Sequence, residues 1–136
     1  MTAFLDTNVL LYAVSRVPED AEKRERAWTL IEGGDLALSL QVLQEFYYQA
    51  TRPSRTDRLI HEEAMEFLDK WRRFPVQETN LALLDAGFEI QRRHKFNFWD
   101  CMILAAARAQ GCDLLWTEDM DDGGVVDGVR IADPFR

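Results

Sequence analysis

The chain has little cysteine, histidine or lysine and no long apolar run, and each shortage removes a class of answers. Two cysteines in 136 residues, Cys101 and Cys112, suggest neither a disulfide framework nor a zinc site. Each falls in or just after an apolar helical stretch, where a free Cys serves as a small core residue. A reducing, cytoplasmic setting is the expectation. Of the two histidines, His61 falls on the polar side of a charged helix and His94 at a basic helix end. Both read as surface residues, which argues again against zinc. No stretch approaches the ~20 apolar residues that cross a bilayer. The apolar opening has no basic n-region, carries Asp6 in its middle and lacks a small-residue cleavage pattern, so it reads as a strand rather than a signal peptide. Positive charge is also short: 16 basic residues stand against 24 acidic ones, for a net charge of -8. That excludes a protein that coats nucleic acid or anionic membrane by bulk electrostatics. A nuclease stays open, because carboxylates gathered on a cation still count as negative in the formal total. Most of the basic residues are arginine, which suits bidentate phosphate contact.

What the chain does have is 47% hydrophobic and 29% charged residues, enough for a real core under a charged surface. Its length fits a single domain over residues 1–136, with no internal repeat, low-complexity segment or linker. Short apolar runs at 3–5, 36–38, 113–117 and 129–131 read as strands, 74–78 reads as a turn and a short strand, and amphipathic helices lie between them. Expected helix starts are Thr7 or Asn8, Ser39, Thr56 or Asp57, Thr79 and Asn97. The Asp- and Gly-rich run 118–128 reads as a loop. Strands alternating with helices predict a parallel sheet in an α/β/α domain, with ligands at the carboxyl ends of the strands.

Three carboxylates stand apart from other charges. Asp6 is alone between Met1 and Ser15, Glu45 between Leu36 and Thr51, and Asp100 between Asn97 and Ala107. A fourth, Asp119, follows the strand that ends at Thr117. Each has a plain alternative: a turn residue at Asp6, a solvated side chain at Glu45, a helix-capping acid at Asp100, an acidic loop at Asp119. Taken together, converging acids would repel one another, and a hard divalent cation such as Mg²⁺ or Mn²⁺ removes that cost. Such a site polarises a phosphoryl oxygen and activates a water.

Phe4-Leu5-Asp6-Thr7-Asn8-Val9-Leu10-Leu11-Tyr12, Val42-Leu43-Gln44-Glu45-Phe46, Asn97-Phe98-Trp99-Asp100-Cys101-Met102-Ile103-Leu104-Ala105-Ala106-Ala107 and Leu115-Trp116-Thr117-Glu118-Asp119-Met120 carry a resemblance. The sequence resembles a PIN-domain ribonuclease, and more narrowly the VapC toxins of type II toxin–antitoxin pairs. The closing Gly128-Val129-Arg130-Ile131-Ala132-Asp133-Pro134-Phe135 fits that group too. The resemblance implies a three-layer α/β/α domain with a parallel five-stranded sheet, and a homodimer. It implies Asp6, Glu45, Asp100 and Asp119 as the catalytic acids, with Asp6, Asp100 and Asp119 on Mg²⁺ or Mn²⁺. It also implies supporting or substrate roles for Thr7, Thr117, Asp121 and Asp122, and a cognate antitoxin as partner.

The expected activity is hydrolysis of an RNA phosphodiester. Arg52, Arg55, Arg58, Arg92, Arg93 and Lys95 are the candidate RNA contacts; a solvated basic surface or helix-dipole pairing is their alternative. Three rival readings remain at this stage. They are a housekeeping RNA-processing PIN nuclease, a haloacid-dehalogenase-like phosphotransferase acting through Asp6, and a non-catalytic PIN interaction module.

Overall fold

The structure, a computed structural model, describes residues 2–136. The chain runs β1 (Ala3–Leu5), α1 (Thr7–Ala13), a 3₁₀ turn (Pro18–Asp20), α2 (Ala21–Glu32), β2 (Leu36–Ser39), α3 (Leu40–Thr51), α4 (His61–Trp71) and β3 (Val76–Gln77). It continues with α5 (Leu81–Arg93), α6 (Phe98–Ala109), β4 (Leu114–Trp116), β5 (Val125–Val126) and β6 (Val129–Ala132). The strands form one sheet in the order β3-β2-β1-β4-β6-β5. All pairings are parallel except β5 with β6. This is a three-layer α/β/α arrangement with six strands, not the expected five.

The extra strand is a correction with a clear cause. Within the expected loop, Val126-Asp127-Gly128-Val129 forms a tight hairpin. Asp127 and Gly128 both adopt positive φ, 50° and 84°. Asp-Gly is the pair that such a turn favours. Asp127 is also clamped by Arg93 at 2.7 Å and Arg108 at 3.0 Å, which ties the hairpin to α5 and α6.

β1 lies inside the sheet between β2 and β4, with Ala3 level with both Leu36 and Leu114. The chain leaves β1 through α1 and α2 toward β2, and reaches β4 from α6. Strands therefore part to opposite sides at the β1–β4 junction, the place where α/β sheets open a crevice. Phe4, Leu5, Leu38 and Leu115 are sealed in the core. So is the middle of α6, buried from Cys101 to Ala107, which explains its apolar surface all round there. Both cysteines are free and buried, as their setting suggested. Trp71 and Ile31 are core residues, and Phe67 stacks on Trp71 at 5.4 Å. Among the described residues no helix is long and apolar enough to cross a membrane.

Several caps moved. Ser39 and Asn97 cap α3 and α6 as expected, accepting from Val42 N at 3.2 Å and Asp100 N at 2.8 Å. α4 starts at His61 rather than near Thr56. Asp57 is occupied by the Arg16 backbone N–H and by Arg55, while Glu63 accepts from Ile60 N. Ile60 accordingly lies outside the apolar stripe, exposed to solvent. Asn80, not Thr79, caps α5 by accepting from Leu83 N at 2.8 Å.

That last assignment is testable by chemical denaturation. Asn80→Ala should cost about 1 kcal/mol, the usual loss for an N-cap side chain. Thr79→Ala should cost less than about 0.5 kcal/mol, as at an ordinary surface position.

Candidate active site

Asp6 follows β1 directly, so the end of the strand fixes its position. Its backbone N–H extends the sheet by donating to Trp116 O at 3.1 Å. Its side chain, not that of Thr7 or Asn8, caps α1: Oδ1 accepts from Thr7 N at 2.7 Å. Oδ2 accepts from the Thr117 hydroxyl at 2.8 Å. Asp6 is only 6% exposed and Thr117 is fully buried.

Burial pushes the Asp6 carboxyl up to about 6. The bonds from Thr117 and Thr7 pull it back, and Glu45 and Asp100 push it further up. Asp100 is also held above the usual carboxylate range, by partial burial first and then by Asp119 and Glu45, against a bond from Asn97. The acids therefore act on one another in a chain, Asp6 with Glu45 and Asp100, and Asp100 with Glu45 and Asp119, and the widest of these pairs, Asp6 and Asp100, is 94 positions apart in sequence.

The remaining acids are each held by a neighbour. Glu45 lies on α3 one turn after Gln41, whose amide donates to Glu45 Oε1 at 2.6 Å. The Thr7 hydroxyl approaches Glu45 Oε2 at 3.4 Å. Asp100 and Asn97 exchange bonds at the start of α6, with Asn97 Nδ2 on Asp100 Oδ2 at 3.1 Å. Asp100 thus ties back to its helix cap and also lines the cleft. Asp119 accepts from Asn8 Nδ2 at 3.0 Å, and its N–H donates to Thr117 Oγ1 at 3.1 Å.

These groups share a cleft of about 240 Å³, lined by Asp6, Thr7, Asn8, Glu45, Asp100 and Asp119 with Leu11, Gln41, Gln49, Trp99 and Ile103. No Lys or Arg is among the lining residues. A second cavity of about 380 Å³ adjoins it through Asp100 and Asp119, and adds His94, Lys95, Asn97 and Asp121. Among the described residues, no three His, Cys, Asp or Glu side chains stand in a ready-made metal cage. The donor set nonetheless fits a hard divalent cation. It offers oxygen alone, and the Asp6 and Asp100 carboxyls, pushed up first by burial and then by the neighbouring acids, have no side-chain cation in the cleft lining to offset their charge.

The acidic loop divides. Glu118 turns away to Lys23 at 2.9 Å and to the Tyr12 hydroxyl. Asp119 faces the cleft and Asp121 the adjoining cavity. Asp122 accepts from Asp133 N at 2.8 Å and faces Arg136, so it is not brought to the cleft. Of the basic candidates, only Lys95 lines either cavity. Arg92 is paired with Glu89, Arg93 with Asp127 and Arg55 with Asp57. Arg52 and Arg58 lie in the loop after α3 and line neither cavity.

Four residues of the site escaped the sequence reading. Gln41 was legible as a polar residue one turn before Glu45. Asn8 looked like a cap and instead bridges Thr117 and Asp119. His94 lines a cavity rather than open surface. Trp99 is 63% exposed, which its apolar surroundings in sequence did not announce.

Solved structures share this fold. A toxin–antitoxin complex from Klebsiella pneumoniae superposes with a TM-score of 0.69 at 19% identity, over 97% of both chains. The Mycobacterium tuberculosis toxin VapC20, described as cleaving the sarcin–ricin loop, gives 0.69 at 20% identity, over 94% of this chain and 98% of that one. VapBC2 from Rickettsia felis, bound to a promoter DNA fragment, gives 0.65 at 18% identity over 98% of both. At such identities the likeness establishes the fold. No curated protein matches in sequence. The PIN domain family model, however, matches residues 3–121, and the protein belongs to the PIN-domain family.

Proposed function

We propose that the chain is a divalent-cation-dependent endoribonuclease and the toxin of a type II toxin–antitoxin pair. The observation that carries this reading is the cleft itself. Asp6, Glu45, Asp100 and Asp119 come from four separate segments to one hollow without a Lys or Arg in its lining. Asp6, Asp100 and Asp119 would hold Mg²⁺ or Mn²⁺. When bound, such a cation polarises the phosphoryl oxygen, activates a water and stabilises charge on the leaving oxygen.

The chain's own residues set the geometry. Thr117 and the Thr7 N–H hold Asp6 in one orientation. Asn8 does the same for Asp119, and Gln41 for Glu45. The Thr7 hydroxyl, at the mouth of α1, is placed to meet the phosphate. Lys95 supplies positive charge along the adjoining cavity. Water attacks phosphorus in line and the bond to the 3′ oxygen breaks, leaving a 5′-phosphate and a 3′-hydroxyl.

The toxin assignment draws support from the structural neighbours, among them a toxin–antitoxin complex and a toxin that cleaves the sarcin–ricin loop. A cognate antitoxin, a homodimer and a cytoplasmic setting belong to the same proposal, as does a single domain over residues 1–136. The phosphotransferase rival loses ground because Asp6-Thr7-Asn8 lacks the second Asp expected in its strongest motif, and because it gives Glu45, a cleft residue, no role.

Purified protein should cleave RNA with Mg²⁺ or Mn²⁺, and lose that activity in excess EDTA and in Asp6→Asn. Activity that survives both rejects the mechanism. Growth arrest on expression, relieved by Asp6→Asn, separates a toxin from a housekeeping nuclease.

Stability offers a second test. An Asp6 carboxyl raised to about 6 binds a proton that the unfolded chain, with an ordinary Asp near 3.8, does not bind in that window. Its contribution is therefore greatest below about pH 4 and is lost as pH rises through about 6. The loss is about 3 kcal/mol in all for this one group. In the metal-free protein Asp100→Asn should leave the neutral-pH melting temperature unchanged or higher, since it removes a repelling charge. Mn²⁺ should raise the wild-type melting temperature and raise that of Asp100→Asn less. A large drop in metal-free stability on Asp100→Asn would leave Asp100 as a capping residue only.

A further inference from the structure

The face of α3 turned from the core carries Gln41, Gln44, Glu45, Tyr48 and Gln49, at helical spacings of three and four. Trp99, in the first turn of α6, stands beside them, and together they line an open cavity of about 610 Å³. Gln41, Glu45, Gln49 and Trp99 also line the acidic cleft, so the two hollows form one surface. Two aromatic rings are held out into it: Tyr48 is 64% exposed and Trp99 63%. Trp99 is braced. Its ring meets Phe98 edge-on at 4.9 Å, Phe98 lies against Phe88 at 5.5 Å, and its carbonyl accepts from Gln41 Nε2 at 3.3 Å. Among the described residues, the amides of Gln44 and Gln49 have no hydrogen-bond partner.

We infer that this surface is a nucleobase subsite for an unpaired base of the RNA substrate. The base lies against Trp99 and Tyr48 and presents its edge to Gln44 and Gln49, while the adjoining phosphate sits among the acids. The inference rests on the nuclease reading and assigns named side chains to one base of its substrate. Aromatic faces accept any base, and free amides both donate and accept, which is what a base edge requires. The lining carries no basic group and one acid, Glu45, so it suits a neutral base and repels a phosphate. Its continuity with the cleft puts that base one linkage from the point of cleavage. A second copy of the chain is the competing occupant.

Trp99→Ala, Tyr48→Ala and the conservative Trp99→Phe test the assignment with a single-stranded RNA oligonucleotide. KM should rise at least about fivefold in each Ala variant, given the usual strength of base–aromatic stacking. With Trp99→Phe it should stay near wild type, and kcat should stay within about twofold throughout. With Ca²⁺ in place of the cleaving cation, the oligonucleotide should quench tryptophan emission of the wild type, and Trp99→Ala should abolish the quenching. Wild-type cleavage with KM and quenching unmoved by the Ala variants overturns this inference alone. An absence of wild-type cleavage with Mg²⁺ or Mn²⁺ overturns the nuclease reading and this inference together. Loss of dimerisation in the Ala variants, with KM unmoved, assigns the surface to a second copy and overturns the base subsite.

Discussion

A buried carboxylate at the end of a central strand, with further acids facing it, is the constraint around which this molecule is arranged. Asp6 sits where two sheet neighbours and a helix start meet, so no water shell screens it. Burial alone is costly for a charged group, and Glu45 and Asp100 add to the cost. The protein does not relieve this with a side-chain cation. It offers two hydrogen bonds, from Thr117 and from the first amide of α1, and those only partly offset the burial. Among the described residues every buried side-chain nitrogen or oxygen has a hydrogen-bond partner. The tension at the site is therefore electrostatic rather than a matter of missing bonds. An electrostatic tension of this sign is relieved by a cation from solution.

The sheet order makes that arrangement possible. Because β1 pairs with β2 on one side and β4 on the other, residues just past β1 and β4 become neighbours although 111 positions separate Asp6 from Thr117. The first turn of α6 then delivers Asp100 from the opposite layer. The inner half of that helix is apolar because it is covered all round. Its one acid can stay charged only at the open end, where the Asn97 cap and the cleft are both within reach.

Legibility in the sequence followed the physics of isolation. A lone acid in a segment built for burial is conspicuous, and Asp6, Glu45 and Asp100 were found that way. So were the parallel strands, whose apolar runs admit few other readings. Positions decided by competition between neighbours were not legible. Asn80 and Thr79 are both good caps, and only the register of α5 chooses between them. Asp57 looked like a helix start until Arg16 and Arg55 claimed it. The Val126-Asp127-Gly128-Val129 hairpin did carry a local signal, but it lay inside an acidic run that read as loop. Trp99 needed the fold, because its part in the site comes from lying beside Gln41 and Glu45 in space.

The fate of the positive charges completes the argument. Sequence alone suggested two arginine-rich groups for phosphate contact, yet Arg93 and Arg108 converge on Asp127, Arg55 on Asp57 and Lys23 on Glu118. These pairs fasten loops and hairpin to helices around the site, and a guanidinium already paired to a carboxylate is a poor phosphate ligand unless that pair opens. Lys95 is left as the one basic candidate beside the acids. A nucleic acid approaching a chain of net charge -8 then has little bulk attraction to draw on. On the proposed nuclease reading, its affinity would come from a cation between the acids and its phosphate, and from contacts with bases that do not depend on charge. Such a site, if it binds nucleic acid as proposed, would favour a strand that can open its bases over duplex backbone.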